Sequence, residues 1–193
     1  MALHTVPLTT ERIPDLATLF DQGGDPKWCW CTFFRARSRD WTNSTAADNR
    51  AVLERAALTQ GHAPGLVGYD GEAAVGWVSL GPREDFERLG ASRVLAPLDD
   101  EPVWSIVCFV VGRRARRRGV SAELLDAAID YARVAGATIL EAYPVDLAVG
   151  ERIPSANLYQ GSVAMFRRAG FTVATRRQAT ETARIRPIVR RRL

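Results

Sequence analysis

Val107-Cys-Phe-Val-Val-Gly-Arg-Arg-Ala-Arg-Arg-Arg-Gly-Val-Ser-Ala122 changes character twice, and those changes decide the fold. Trp104 to Val111 is apolar and β-branched, the pattern of a buried strand. Five arginines then occupy Arg113 to Arg118, broken only by Ala115, and Gly119 ends the run. From Ser121 the period becomes helical, with Leu124, Leu125, Ala128, Ile129 and Ala132 on one face. A strand therefore turns through a basic, glycine-containing loop into a helix. That arrangement aims free backbone N–H groups and the positive end of a helix dipole at one spot, which suits phosphate. The arginines add charge-assisted hydrogen bonds.

Outward from this stretch, the chain of 193 residues is read as one domain, 1–193, large enough for its own core. Apolar residues at 47% and charged residues at 25% give a soluble, globular balance. No run reaches the ~20 apolar residues of a membrane span, and no signal pattern opens the chain, so the expected location is cytoplasmic. Cys29, Cys31 and Cys108 form no disulfide framework and lack the partners of a four-ligand zinc site; reduced thiols and no metal are expected. The net charge of +4 is almost all arginine, Lys27 being the only lysine. It suits an anionic partner without choosing among coenzyme, nucleic acid and acidic substrate.

The rest of the chain reads in order as follows. His4 to Leu8 is a short strand, and Thr9 or Thr10 opens a helix carrying Ile13, Leu16, Leu19 and Phe20. Lys27 to Trp41 concentrates five aromatics, two cysteines and four basic residues. Asn43 or Ser44 begins a second helix. Leu66 to Leu80 is a hairpin turning at Asp70-Gly71. Pro82 to Leu98 is an irregular or partly helical excursion, and Asp99, Asp100 and Glu101 precede the central strand. After the basic-loop helix, Gly136 is the C-cap and Ala137 to Tyr143 a buried strand, a right-handed crossover. A loop runs to Ser155, Gly161 to Ala169 is a short helix, and Gly170-Phe171 starts the next strand. Ala183 to Leu193 is the last strand, with Pro187 marking a bulge or an edge.

Arg116-x-x-Gly119-x-Ser121 resembles the Gln/Arg-x-x-Gly-x-Gly/Ala signature of the GCN5-related N-acetyltransferase (GNAT) superfamily, with serine at the last small position. The element order and Ala169-Gly170-Phe171 extend the resemblance over nearly the whole chain. The Cys-Trp-Cys segment, Gly76 to Arg83, Tyr143 to Asp146 and Arg186 to Arg190 resemble a bacterial subgroup. The resemblance implies an α/β (α+β) fold: a mixed, mostly antiparallel sheet of about six to seven strands, with a splayed parallel central pair (about 104–111 and 138–143) and about four helices. It also implies acetyl-CoA as cosubstrate and an amine of a small molecule or protein as acceptor. It allows a homodimer and involves no membrane.

By that resemblance the amides of Arg116, Arg117, Arg118, Gly119, Val120, Ser121 and Ala122 hold the pyrophosphate. The amides of Phe109 and Val111 serve pantetheine and the oxyanion. Many members carry a tyrosine four residues before the glycine of Gly-Phe, where it protonates the leaving thiolate; here Phe166 stands there. Tyr159, Ser162 and Tyr143 are the substitutes, with Tyr159 preferred and water as the alternative. Tyr159, Ser162 and Phe166 are also placed along pantetheine. Trp30, Phe34 and Arg35, with Tyr143, are candidates for the acceptor site; the aromatics read equally well as core. Asp146 is chosen for amine binding or base, against Glu141, the Asp99–Glu101 group and Cys108. A module that binds acetyl-CoA or nucleic acid without turnover is the alternative function. Nucleic acid is disfavoured because no recognition motif accompanies the arginines.

Overall fold

The structure, a computed structural model, describes residues 3–148, 151, 153, 154 and 158–193. The loop expected to run to Ser155 lies partly outside these residues. The strands are β1 (His4–Pro7), β2 (Gly65–Asp70), β3 (Ala73–Pro82), β4 (Trp104–Val111), β5 (Ile139–Ala142), β6 (Thr172–Arg177) and β7 (Arg186–Arg192). They form one sheet in the order β1-β2-β3-β4-β5-β7-β6, antiparallel everywhere except between β4 and β5. The helices among the described residues are α1 (Ile13–Phe20), α2 (Pro26–Cys29), α3 (Ser38–Thr42), α4 (Ala46–Thr59), α5 (Glu87–Ala91), α6 (Val120–Val134) and α7 (Val163–Arg168). The four expected helices are α1, α4, α6 and α7; the short α2, α3 and α5 are additional.

Two apolar layers sandwich the sheet. One packs α1, α4 and the aromatic segment on Trp77, Val107, Cys108 and Val110. The other packs α6 and α7 on Val78, Ile106 and Phe109. Helix α4 starts later than Asn43 or Ser44. Thr45 is its cap, accepting from the Asp48 amide while the Asp48 carboxylate accepts from the Thr45 amide. The β2–β3 hairpin turns at Asp70-Gly71, where Gly71 takes φ of 62°. Pro187 lies inside the sheet. It pairs with Arg176 on the β6 side and precedes the β5 ladder, which starts at Val189, so on the β5 side its missing N–H breaks no rung.

Two irregularities shape the centre. Strands β4 and β5 pair only at Trp104↔Leu140, Ser105↔Glu141 and Ile106↔Ala142; Val107–Val111 runs on after β5 ends. In the β3–β4 ladder, Ser79 faces Cys108 but Leu80 faces Ile106, so Val107 is an extra residue in β4. Such a bulge breaks the alternation of side chains. Val107 and Cys108 consequently point to the same face, into the layer with α1, while Ile106 and Phe109 point to the other.

Candidate active site

The basic loop follows β4 directly. A 3₁₀ turn, Arg113–Ala115, leads to Arg117 at φ 63° and Gly119 at φ 85°, both left-handed, and α6 begins at Val120. No side chain caps α6 at Gly119. Its first intrahelical bonds come from the amides of Ala122 and Glu123 to the Gly119 carbonyl. The amides before them therefore face outward at the positive end of a helix fifteen residues long. Arg116, Arg117, Arg118 and Gly119 are exposed, and Val120 anchors the turn in the core. Arg116 donates to the Val111 carbonyl at 3.3 Å, and Arg118 reaches Asp70 on the β2–β3 turn at 3.4 Å. The other side is held by the α1–α2 turn, where Gln22 accepts from the Arg113 amide.

From the loop, β4 leads inward along the gap that β5 leaves. Gly112 donates to Val75 across the β3 ladder, so the amides of Phe109 and Val111, three and one residues out of that phase, face the gap. The Phe109 amide donates there to the Tyr159 carbonyl. The returning chain is fixed beside it by an isolated parallel bridge between Val145 and Ser162. Ser162 also caps α7, its hydroxyl accepting from the Met165 amide.

Over the bulge lies a cavity of about 480 Å³. Val107 and Cys108 form its strand wall. Cys29, Cys31, Phe33 and Phe34 come from the aromatic segment, Asp25 from the turn before α2, and Tyr159 from the gap. Arg184 and Arg186 complete the rim, Arg184 paired with Glu151 at 2.6 Å and Arg186 donating to Gln160 at 3.1 Å. Tyr159 is half-buried, and its hydroxyl sits so near Gly24 that a Cβ there would lie 2.9 Å from the oxygen. Burial and then the Asp25 carboxylate hold this phenol above the usual tyrosine range, so at neutral pH it carries its proton.

Of the residues chosen from sequence, the fold brings Tyr159 and Phe34 to this cavity. Phe166 is fully buried in the opposite layer, edge-on to Phe109 and Phe171. Trp30 is core, edge-on to Phe20 at 5.4 Å with Arg50 over its face. Arg35 does not line the cavity. It is 7% exposed, pairs with Asp85, donates to the Pro64 carbonyl and stacks on Phe86. Tyr143 belongs to a buried polar cluster below the gap, accepting from Arg83 and donating to Glu141 at 2.7 Å. Burial, reinforced by Glu141, pushes its phenol well up. Asp146 stands outside the cavity wall, gripped by Arg176 at 3.3 Å. Asp25, Arg184 and Arg186 were not chosen as site residues from sequence, although Arg186 opens one of the motifs quoted there. They converge from the two ends of the chain, and no local pattern announces that.

Basic loop, splayed strands and cavity thus follow one another along β4. Residues 27–171, well over half of the chain, match the acetyltransferase (GNAT) family. The chain belongs to that family. As a GNAT protein it is assigned to acetyl-CoA-dependent acetyl transfer. No curated protein sequence matches it. Among solved structures, agmatine N-acetyltransferase (a mutant in its apo form) is similar at 11% identity and TM-score 0.61, each chain covered 100%. An acetyltransferase related to histone acetyltransferase HPA2 from Corynebacterium glutamicum is similar at 18% identity and TM-score 0.57, over 98% of this chain and 96% of that one. The protein yncA from Salmonella typhimurium, solved with acetyl-CoA, is similar at 15% identity and TM-score 0.58, over 100% of this chain and 95% of that one. At such identities the likeness is one of fold.

Proposed function

We propose that this GNAT protein acetylates a primary amine by direct attack on acetyl-CoA in a ternary complex. The observation that carries the reading is the β4 bulge, which sets a cavity against the gap where two parallel strands part. An acceptor in the cavity and a thioester in the gap would meet at Val107 and Cys108, and holding both in place supplies much of the rate.

In this reading, the outward amides from Arg116 to Ser121 and the guanidinium groups around them hold the pyrophosphate; the Ala122 amide, expected there from sequence, is taken by the Gly119 carbonyl. The Val111 amide faces the pantetheine arm. The Phe109 amide joins it once the Tyr159 carbonyl yields. Ser162 and Phe166 back the gap from α7. The amine–carbonyl bond forms as the carbon–sulfur bond breaks, and Tyr159 gives its proton to the departing thiolate. Asp25, in the cavity wall, is the carboxylate placed to receive the ammonium and take its proton, in preference to Asp146 in its bond with Arg176. Phe33 and Phe34 form the apolar side of the acceptor site.

The absence of a phenol at Phe166 favours a second reading, in which acetyl-CoA is bound without turnover. The test has two stages. Acetyl-CoA and free CoA should raise the melting temperature with concentration, by about 2.7 kcal/mol of stability at a hundredfold excess over Kd, and single-stranded DNA should not. Release of free CoA is then followed against a panel of small amines, amino acids and peptides. A DNA-only shift overturns the reading; a shift without CoA release for any amine leaves the binding module.

A further inference from the structure

Three thiols meet at the cavity, and acetyl transfer as described uses none of them. Cys29, Cys31 and Cys108 all line its wall. They come from two segments that only the fold brings together, the turn after α2 and the bulged part of β4. The Cys31 and Cys108 sulfurs are 3.0 Å apart, a thiol–thiol hydrogen bond in the buried wall. Cys29 stands two residues before Cys31 and lines the same cavity. Cys31 thus lies between Cys29, its near neighbour in the chain, and Cys108, its neighbour in space.

The backbone is bent to make this contact. Trp30 and Cys31 are consecutive non-glycine residues in the left-handed region, at φ 46° and 53°. That conformation is disfavoured for side chains of this kind and persists only where surrounding structure holds it. Here Trp30 is locked against Phe20, and Thr32 bonds back to the Cys29 carbonyl at 2.8 Å. The turn brings Cys31 against β4. Exposure grades along the chain: Cys31 and Cys108 are buried, and Cys29 is partly open. The neighbouring Cys31 thiol lowers that of Cys29, whereas burial pushes Cys31 well up. The accessible sulfur is the one with more thiolate character, which is what makes a cysteine reactive.

We propose that Cys29, Cys31 and Cys108 are a peroxide-reactive thiol relay ending in a Cys31–Cys108 disulfide across the cavity wall. The Cys29 thiolate attacks one oxygen of a hydroperoxide, the O–O bond breaks, and Cys29 becomes a sulfenic acid as water or an alcohol leaves. Cys31 attacks that sulfur, expelling a second water and forming a Cys29–Cys31 link. Two residues apart, that link closes a small ring and is transient. Cys108 then attacks the Cys31 sulfur, and Cys29 leaves as the thiolate. The sum oxidises two thiols to one disulfide and reduces one peroxide. Bonding needs the two sulfurs to close from 3.0 Å to about 2.05 Å. The cross-link would clamp the aromatic segment onto β4 beside the acceptor site.

The thiol chemistry stands independently of the acetyl-transfer reading; only its effect on turnover rests on that reading. The test treats the full chain with hydrogen peroxide, blocks remaining thiols by alkylation and maps peptides without reduction. The expected result is loss of two of the three thiols and of two hydrogen masses, with the peptides of Cys31 and Cys108 joined and a dithiol reductant restoring both. Cys29→Ser should slow the link with peroxide on the order of tenfold, the entry thiolate being gone. Cys108→Ser should leave a Cys29 sulfenic acid that dimedone captures, or a Cys29–Cys31 link. A stable Cys29–Cys31 link in the unmutated chain, sulfinic acid without any link, or an unchanged rate in Cys29→Ser overturns the relay. With an amine acceptor found, turnover should fall in proportion to the cross-linked fraction. A correct peptide map with no turnover would overturn the acetyl-transfer reading alone, and turnover with no link would overturn the relay alone.

Discussion

Tyr159 and Phe166 occupy opposite sides of the sheet, and in the proposed reaction that separation decides which ring serves the leaving thiolate. Phe166 packs between Phe109 and Phe171 at zero exposure, while Tyr159 lines the cavity with its hydroxyl near Gly24 and Asp25. Burial and the Asp25 charge keep its proton on through neutral pH, as a general acid requires. Tyr159→Phe is expected to lower kcat by ~10²–10⁴-fold with acetyl-CoA affinity nearly unchanged, a general acid's usual contribution. Steady-state kinetics with acetyl-CoA titration checks this. If kcat holds, water supplies the proton. Phe166→Tyr should then raise kcat if its phenol reaches the gap, although an unpartnered hydroxyl in that layer would cost about 1–3 kcal/mol of stability.

At the scale of elements, the loop between β4 and α6 does its work with backbone. Gly119 sits at φ 85°, and no atom lies within 4 Å of where its Cβ would be. The protein therefore leaves room there, and a side chain would enter the space in front of the first-turn amides. Gly119→Val is expected to abolish the acetyl-CoA thermal shift. It should also lower stability by roughly 1–2 kcal/mol, because a β-branched residue is strained in the left-handed region. Gly119→Ala separates the two effects: similar strain, less obstruction, and a weakened rather than absent shift. Retention of the full shift by the valine variant would place the phosphate site elsewhere. The arginines around the loop sharpen this site, but their count along the sequence could not say which have protein partners. Arg118 turns to Asp70, Arg116 to the Val111 carbonyl, and the α1–α2 turn docks through Gln22.

At the scale of the whole molecule, the two strands that part along the gap are held together below it by buried charge. Glu141, with zero exposure, accepts from Arg83 and from Arg190 at 2.7 Å, and Arg190 continues to Asp99 at 2.6 Å. These bonds tie β5 to β7 and to the segment before β4. Removing one partner of such a cluster leaves uncompensated buried charge, so Glu141→Gln is expected to cost about 3–5 kcal/mol, measured by denaturant melts. An exposed pair such as Arg37–Glu87, screened by solvent, should contribute little. Acid should unfold the molecule for a related reason. Thr9 holds the Glu11 carboxyl below its ordinary value, and Thr45 does so for Asp48, Arg190 for Asp99 and Arg184 for Glu151. A carboxyl with a lowered folded-state pKa stabilises above its unfolded value, about 4, and that stability is lost as pH falls through the folded value. Melting temperature should therefore be flat above about pH 5 and drop below about pH 4, the drop being softened by salt. A flat profile down to pH 3 would mean these contacts do not persist in solution.

The sequence by itself determined the strand–loop–helix at 104–134, the hairpin at Asp70-Gly71, the order of the elements and, with them, the family. Each of these is written in neighbouring residues: hydrophobic period, glycine position, a charge run ending at Gly119. It placed the α4 cap slightly early, because Asn43, Ser44 and Thr45 are all good caps and only the Asp48 carboxylate chooses among them. The acceptor side was less legible. Whether Trp30 or Phe34 faced solvent, core or cavity depended on where β4 bulged, and a bulge at Val107 leaves no mark in a run of apolar residues. Arg35 looked free for a substrate anion until Asp85, fifty residues away, took it. Asp25, Tyr159, Arg184 and the three cysteines carry no shared local signal. They become one site only because the sheet sets β4 beside the turn before α2, the chain returning from the gap and the start of β7. Pairing between elements distant in sequence was decided by tertiary packing alone, since burial and charge compensation act through space and not along the chain.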